Sequence, residues 1–359
     1  MNTTKNRSNW GLALASWGPR FLPFADAASE DLPLPRLLRL SLFQISVGMA
    51  MVMLVGTLNR VMIVELKVSA TLVSFMVALP LLIAPLRALI GFRSDNHRSQ
   101  LGWRRVPYIW MGSLLQFGGF SIMPFALLVL AGAGQASQAP AWVGQLGAAG
   151  AFLLVGLGMH TVQTAGLALA TDLAPPERQP QVVGLMYVMQ LIGMIGSALV
   201  LGYLLHDYSP GQLIRVVQAV AVTTLVLNVI ALWKQEPRSR LRKPGTPIDH
   251  TFAQAWQLFC QGPNTVRRLL AVGLGTMAFT MEDVLLEPYG GEILHMSVSS
   301  TTLLSATLAL GGLIGFAWAS RVLGRGGDAY RMSGWGAWVG LPAFVCVIAS
   351  GPLAMPALF

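Results

Sequence analysis

Charge is what this sequence has least of. Of its 359 residues only 11% are Asp, Glu, Lys or Arg, against 54% that are hydrophobic, where soluble domains carry about 25% charged residues. A surface so poor in charge is not built for water, and lipid is the solvent that tolerates it. Cysteine is also scarce: Cys260 and Cys346 form neither a metal-ligand spacing nor a disulfide framework. There is no G-x-x-x-x-G-K-[ST] phosphate loop, H-E-x-x-H, G-x-S-x-G or C-x-x-C, so an ATP-driven pump or an intramembrane hydrolase finds no support. The N-terminal stretch has no short apolar core followed by a small-residue cleavage site, so no removable signal peptide is read and the first span itself directs insertion. The net charge of +9 does not indicate nucleic acid. The basic residues sit in short runs between apolar stretches, as at the cytoplasmic face of a membrane.

What the chain does have is long apolar text. About 20 apolar residues, at 1.5 Å each, cross the roughly 30 Å of hydrocarbon in a bilayer. Nine stretches qualify, numbered here as spans 1 to 9: 40–59, 69–91, 107–131, 143–171, 181–205, 213–233, 269–288, 299–320 and 333–357. The expected fold is an all-α integral membrane protein. Its linkers are short except for a basic one over 234–268. The domain reading is a cytoplasmic amphipathic segment 1–39, a six-helix bundle 40–233, a cytoplasmic linker 234–268 and a partial three-span bundle 269–359. With the N-terminus inside, 21 of the 24 Lys and Arg fall on inner segments, leaving Arg60, Lys67 and Arg215 outside. The positive-inside rule therefore predicts a cytoplasmic N-terminus. Phe252, Trp256 and Phe259 recur at helical spacing in the linker, and Trp10, Leu14, Trp17 and Phe21 do so near the N-terminus, as in helices lying on a membrane surface.

Several polar residues interrupt the apolar text. Span 7 carries Glu282, Asp283 and Glu287. Counted from Arg268, Glu282 lies about 21 Å along the helix, a depth at which ionisable groups face a protein interior or a cavity. Asp283 and Glu287, at i and i+4, repel unless a proton or a cation answers them, and Arg60 at the end of span 1 is the expected partner. The competing reading ends span 7 early, at Glu282, with Glu287 in an outer loop. In span 4, His160 and Gln163 sit near mid-membrane, and a neutral imidazole is a competent ligand for the magnesium of a chlorophyll. Gly156, one turn earlier, would leave room for a flat macrocycle. Against this, most lone membrane histidines simply bond a neighbouring helix. Gln44, Gln116, Gln190, Gln218 and Asn228 read as interhelical glue. The pairs Gly311/Gly315 and Gly336/Gly340 suggest close crossings, and Pro80 and Pro85 should bend span 2.

The turn between spans 2 and 3 joins Gly91 and Asp95 to Arg98, Arg104 and Arg105. This glycine, acid and basic spacing resembles the major-facilitator signature loop. Gly91 would allow close helix approach, and Asp95 would accept from Arg98 or Arg105 at a cytoplasmic gate. The plainer reading is a set of solvated positive-inside charges.

Longer strings carry a more specific resemblance. Gly56-Thr-Leu-Asn-Arg60 through Glu65-Leu, Arg87 through Asp95 and on to Tyr108-Ile-Trp, Gly158-Met-His160 through Asp172-Leu-Ala-Pro, and Met281-Glu-Asp283 through Glu287-Pro-Tyr-Gly-Gly291 resemble the PucC/LhaA family in order and spacing. The resemblance implies a major-facilitator plan of twelve spans in two six-helix bundles, of which nine are readable, with spans 1, 4, 7 and 10 around a central cavity. Arg60, His160 and the span 7 acids would then belong to one site. It further implies assembly of light-harvesting antenna complexes in the inner, intracytoplasmic photosynthetic membrane of purple bacteria. The implied partners are antenna α and β polypeptides and a reaction-centre antenna complex, and the implied cargo or cofactor is bacteriochlorophyll. The rival readings are a proton-coupled secondary transporter using the span 7 acids and a pigment-modifying enzyme, for which no catalytic constellation is found.

Overall fold

The computed structural model describes residues 32–82, 85–97, 102–132, 138–237, 251–324 and 327–353. Among these, nine helices are long and apolar enough to cross a membrane. They are span 1 (Leu34–Glu65), span 2 (Ala70–Asn96), span 3 (Val106–Leu130), span 4 (Ala141–Leu173), span 5 (Pro176–Leu204), span 6 (Pro210–Leu232), span 7 (Thr265–Glu292), span 8 (Val298–Ala319) and span 9 (Tyr330–Ser350). No strand occurs among the described residues. The chain is a multi-span membrane helical bundle, as expected where backbone polar groups must be satisfied without water. Trp10, Leu14, Trp17, Phe21 and Arg98 lie outside the described residues.

The predicted spans are all present, with ends that differ in useful ways. Span 2 stays helical through Gly91 to Asn96, so Asp95 sits on its last turn and not in a free loop. Span 7 runs to Glu292 with Pro288 inside it, so Glu287 lies on the helix and not in a loop. Span 1 is unusual: it winds as π-helix over Val52–Leu58 and Val61–Glu65, and the Leu66 N–H closes the last wide turn on the Val61 carbonyl at 3.0 Å. Span 6 opens on Pro210, and Ser209 caps it by accepting from the Gln212 N–H at 3.1 Å.

Span 1 forms the core of the first bundle, with Leu37, Phe43, Val47, Met53, Leu58 and Met62 fully buried. Glycine sets the tightest crossings. A Cβ added at Gly112 of span 3 would stand 2.8 Å from the Gly158 carbonyl of span 4, and one at Gly48 of span 1 would stand 2.9 Å from the Met194 nitrogen of span 5. Of the pairs expected to do this, only Gly340 meets a neighbouring helix. Gly311, Gly315 and Gly336 face open space, and Gly340 meets only rings, Phe279 and Phe344. Gly91 has a single ordinary contact, 3.8 Å to the Thr164 methyl. Small-residue spacing marks a crossing only where another helix lies on that face.

The polar glue is real in part. Gln163 donates to Gln190 at 3.0 Å, Gln116 reaches Ser46 at 3.4 Å, and Ser46 donates to the Thr224 carbonyl at 3.3 Å. Gln218 is exposed, while Gln44 and Asn228 are buried without partners. In the linker, Phe252–Cys260 forms the expected amphipathic helix, started by a capping box of Thr251 and Gln254. Its Phe252, Trp256 and Phe259 rings stack in series at 6.5 and 5.8 Å, and Phe92 at the end of span 2 meets Phe252 edge-on at 5.7 Å.

Candidate functional site

Two polar nodes stand at opposite ends of span 1. At the Arg39 end, the gate residues gather around Arg105, which is almost wholly buried. Its Nε donates to Asp172 of span 4 at 3.0 Å, its Nη1 to Ser94 at 2.6 Å, and its Nη2 pairs with Asp95. Arg104 also reaches Asp172, at 3.0 Å. The carboxylate of Glu236, just past span 6, accepts from the backbone N–H groups of Arg104, Arg105 and Val106 at 2.6–3.2 Å. Those are orphan donors at the start of span 3, where the helix dipole also favours an anion. The ends of spans 2, 3, 4 and 6 are thereby tied together, so Asp95 and Arg105 are structural partners and not merely solvated charges. Gly91 contributes no close approach.

At the other end lies a seam between span 1 and spans 7 and 8. Pro288 has no N–H, so the Val284 carbonyl four residues earlier loses its helical partner. Asn59 Nδ2 of span 1 takes that place at 2.6 Å. Gly56 lies directly under the Glu287 carboxyl, where a Cβ would overlap Oε1. Glu287 is 1% exposed, and its Oε1 accepts from Ser305 of span 8 at 2.5 Å while Oε2 is buried without a partner. Thr57 and Thr302 meet at 3.3 Å. Arg60, the expected partner of the span 7 acids, makes no hydrogen bond to Glu287, and its Nε is buried without a partner. Its Nη1 donates to Glu65 at 2.6 Å and its Nη2 to the Met296 carbonyl at 3.0 Å. The π-wound turn after Arg60 is what brings Glu65, five residues on, within reach. Glu282 and Asp283 lie on the helix, with side chains outside the described set. Next to the seam, burial pushes the Tyr208 phenol up from its ordinary range and nearby Glu65 adds to the shift, opposed by Arg60.

His160 is half-buried in span 4, and its Nδ1 is buried without a partner. With Gly156, Gly56, Glu287 and Ser305 it lines a cavity of about 110 Å³ between spans 1, 2, 4, 5, 7 and 8. The three residues expected to hold a pigment do not form a macrocycle site. Pro80 of span 2 occupies the space beside Gly156, where a Cβ would overlap its ring. Gln163 is committed elsewhere, accepting from Arg87 at 3.0 Å and donating to Gln190. Pockets for drug-sized ligands take about 300–1,000 Å³, so a tetrapyrrole does not fit the cavity in this conformation. No cluster of three metal-ligating side chains exists among the described residues.

Sequence reasoning missed Glu236 and Ser305 and gave Asp172 and Glu65 no role. Glu236 carried a usable signal, since it is an acid in a basic linker directly after a span. That is the same oddity that drew attention to Asp95. Ser305 carried none, because one serine among several in span 8 gains meaning only from the carboxyl it faces.

Comparison with known proteins adds a family. The model of the PUCC protein family matches residues 57–359. The chain is 63% identical over 350 residues to protein PucC of Rhodovulum sulfidophilum, spanning 96% of this chain and 77% of that protein. It is 60% identical over 331 residues to protein PucC of Cereibacter sphaeroides, spanning 92% and 72%. A more distant relative, at 27% identity over 271 residues, is the bacteriochlorophyll synthase 44.5 kDa chain of Rhodobacter capsulatus, spanning 75% and 60%. The chain thus covers about three quarters of the length of the two PucC proteins.

Proposed function

The chain belongs to the PucC family, and from that premise we propose that it is a non-enzymatic assembly factor for photosynthetic light-harvesting antenna complexes. In this reading it guides antenna α and β polypeptides, delivers bacteriochlorophyll, or both, within the inner photosynthetic membrane, with its N-terminus cytoplasmic. Family membership carries the reading, with relatives more than half identical along nearly the whole chain. A relative named for bacteriochlorophyll synthase supports the link to pigment. The fold supports the mode of action: the chain is a multi-span membrane helical bundle, built to live among membrane helices.

The pigment would be held on the lipid-facing surface, since the His160 cavity is too small and Gly156 is covered. Changing His160 to Phe should therefore leave pigment content unchanged. Purification from photosynthetic membranes, followed by an absorption spectrum and identification of bound proteins, tests the reading. Antenna polypeptides or stoichiometric bacteriochlorophyll are expected.

A second reading, a secondary transporter on the major-facilitator plan, is favoured by one observation. The buried Glu287 carboxyl sits beside a cavity bounded by both parts of the bundle. Uptake into liposomes with substrate-dependent proton movement would favour it over assembly.

A further inference from the structure

Among the described residues, no ion pair reaches the buried Glu287 carboxyl. Its Oε1 accepts from Ser305 at 2.5 Å, and its Oε2 has no partner at all. Arg60 directs Nη1 to Glu65 and Nη2 to the Met296 carbonyl, and its Nε is buried without a partner. Isolated carboxylates in apolar surroundings are too costly to persist and are answered by a positive charge. The cavity beside Glu287 has room for such a charge with a few waters, at about 110 Å³. Across it stands His160, whose Nδ1 also lacks a partner. The wall from span 1 is the π-wound stretch Val52–Leu58, a winding that often marks functional sites in helices.

From this geometry we infer that Glu287, with Ser305, binds one small monovalent cation, a proton or a sodium ion, in the cavity facing His160. The Glu287 carboxylate carries one negative charge, and among the described side chains it is the only acid lining the cavity, so one monovalent cation matches it. A hard cation takes oxygen ligands, and Glu287 Oε2, the Ser305 hydroxyl and cavity water supply them. A proton would sit on the carboxyl itself. The charged and titratable groups around the site are Arg60 and Glu65 from span 1, Arg87 from span 2, His160 from span 4 and Tyr208 from the turn after span 5. Arg87 is held by Gln163 and Thr164, and Asp283 stands one turn before Glu287 on the same helix. The inference does not rest on the assembly reading, since a chaperone and a transporter could both carry such a site.

The test is infrared difference spectroscopy on the purified full chain in lipid nanodiscs, with a pH step in one arm and sodium addition at fixed pH in the other. The readout is a carboxyl band in the wild type that is absent in Glu287→Gln. If the band disappears on raising the pH and ignores sodium, the cation is a proton. If sodium changes the carboxylate bands and saturates at one equivalent by equilibrium dialysis, it is sodium. Ser305→Ala leaves the carboxyl in place and should weaken sodium uptake about tenfold, or displace the protonated band, through loss of one charge-assisted hydrogen bond. Should Glu287→Gln fail to fold, the Ser305→Ala comparison stands in its place. Identical spectra for wild type and variants in both arms would overturn the inference.

Discussion

Replacing Arg105 with alanine removes three contacts at once: Asp172 at 3.0 Å, Ser94 at 2.6 Å, and Asp95. The cost is not that of a fully buried ion pair, about 3–5 kcal/mol, because both carboxylates keep some water. Asp172 is 34% exposed and retains Arg104, while Asp95 is 54% exposed. Ser94 still donates to the Gly91 carbonyl at 2.9 Å, so it is not orphaned. A hydrogen bond to a charged group contributes about 1.5–3 kcal/mol, and an exposed pair adds about 0–1 kcal/mol. The expected loss is therefore about 2–3 kcal/mol, with Arg105→Lys losing roughly half because an ammonium lacks the planar fork. Double-mutant cycles refine the claim. Coupling of Arg105 to Asp172 should exceed its coupling to Asp95, since Asp172 is the less exposed, and the Asp95 term should fade with added salt. Reversible unfolding in mixed detergent micelles reads these values. Equal or inverted couplings would show that the three-way node does not hold the helix ends as described.

Other parts of the structure make their own predictions. Gly112→Ala and Gly158→Ala should each destabilise by about 1–3 kcal/mol through overpacking, whereas Gly311→Ala and Gly315→Ala should fall within about 0.5 kcal/mol of wild type. The same unfolding assay separates the two pairs. Because the Tyr208 phenol is held above its ordinary value, the folded state keeps its proton longer than the unfolded state. Stability should then fall as pH rises past about 10, and Tyr208→Phe should flatten part of that alkaline loss. The linker helix presents Trp256, Leu258 and Phe259 to the outside, so in a chain keeping Trp256 as its one tryptophan, Leu258→Ser with Phe259→Ser should weaken quenching of Trp256 fluorescence by lipid-borne quenchers.

The spans were legible in the sequence because the rule that makes them is local: an unbroken run of apolar residues long enough to cross hydrocarbon. The amphipathic linker helix was legible for the same reason, from Phe252, Trp256 and Phe259 at helical spacing. The site was only half legible. Glu287 and Arg105 stood out because ionisable residues in apolar text are conspicuous. Their partners did not, because partnership depends on which helices meet. The Arg60–Glu65 pair was not legible because Glu65 comes into reach through π-winding, which no apolar pattern encodes. Gly156 beside His160 looked like an open face because nothing in span 4 reveals that Pro80 of span 2 fills it. Gly311, Gly315 and Gly336 have the spacing of a crossing but face open space, while Gly340 meets the Phe279 ring of span 7.

The assembly role is tested most directly by recovering the tagged chain from photosynthetic membranes in mild detergent, recording its absorption spectrum and identifying what travels with it. The account predicts antenna α or β polypeptides, bacteriochlorophyll near one equivalent, or both, with the same yield from the His160→Phe chain. A colourless chain free of antenna polypeptides would contradict it and shift the weight to transport through the Glu287 cavity.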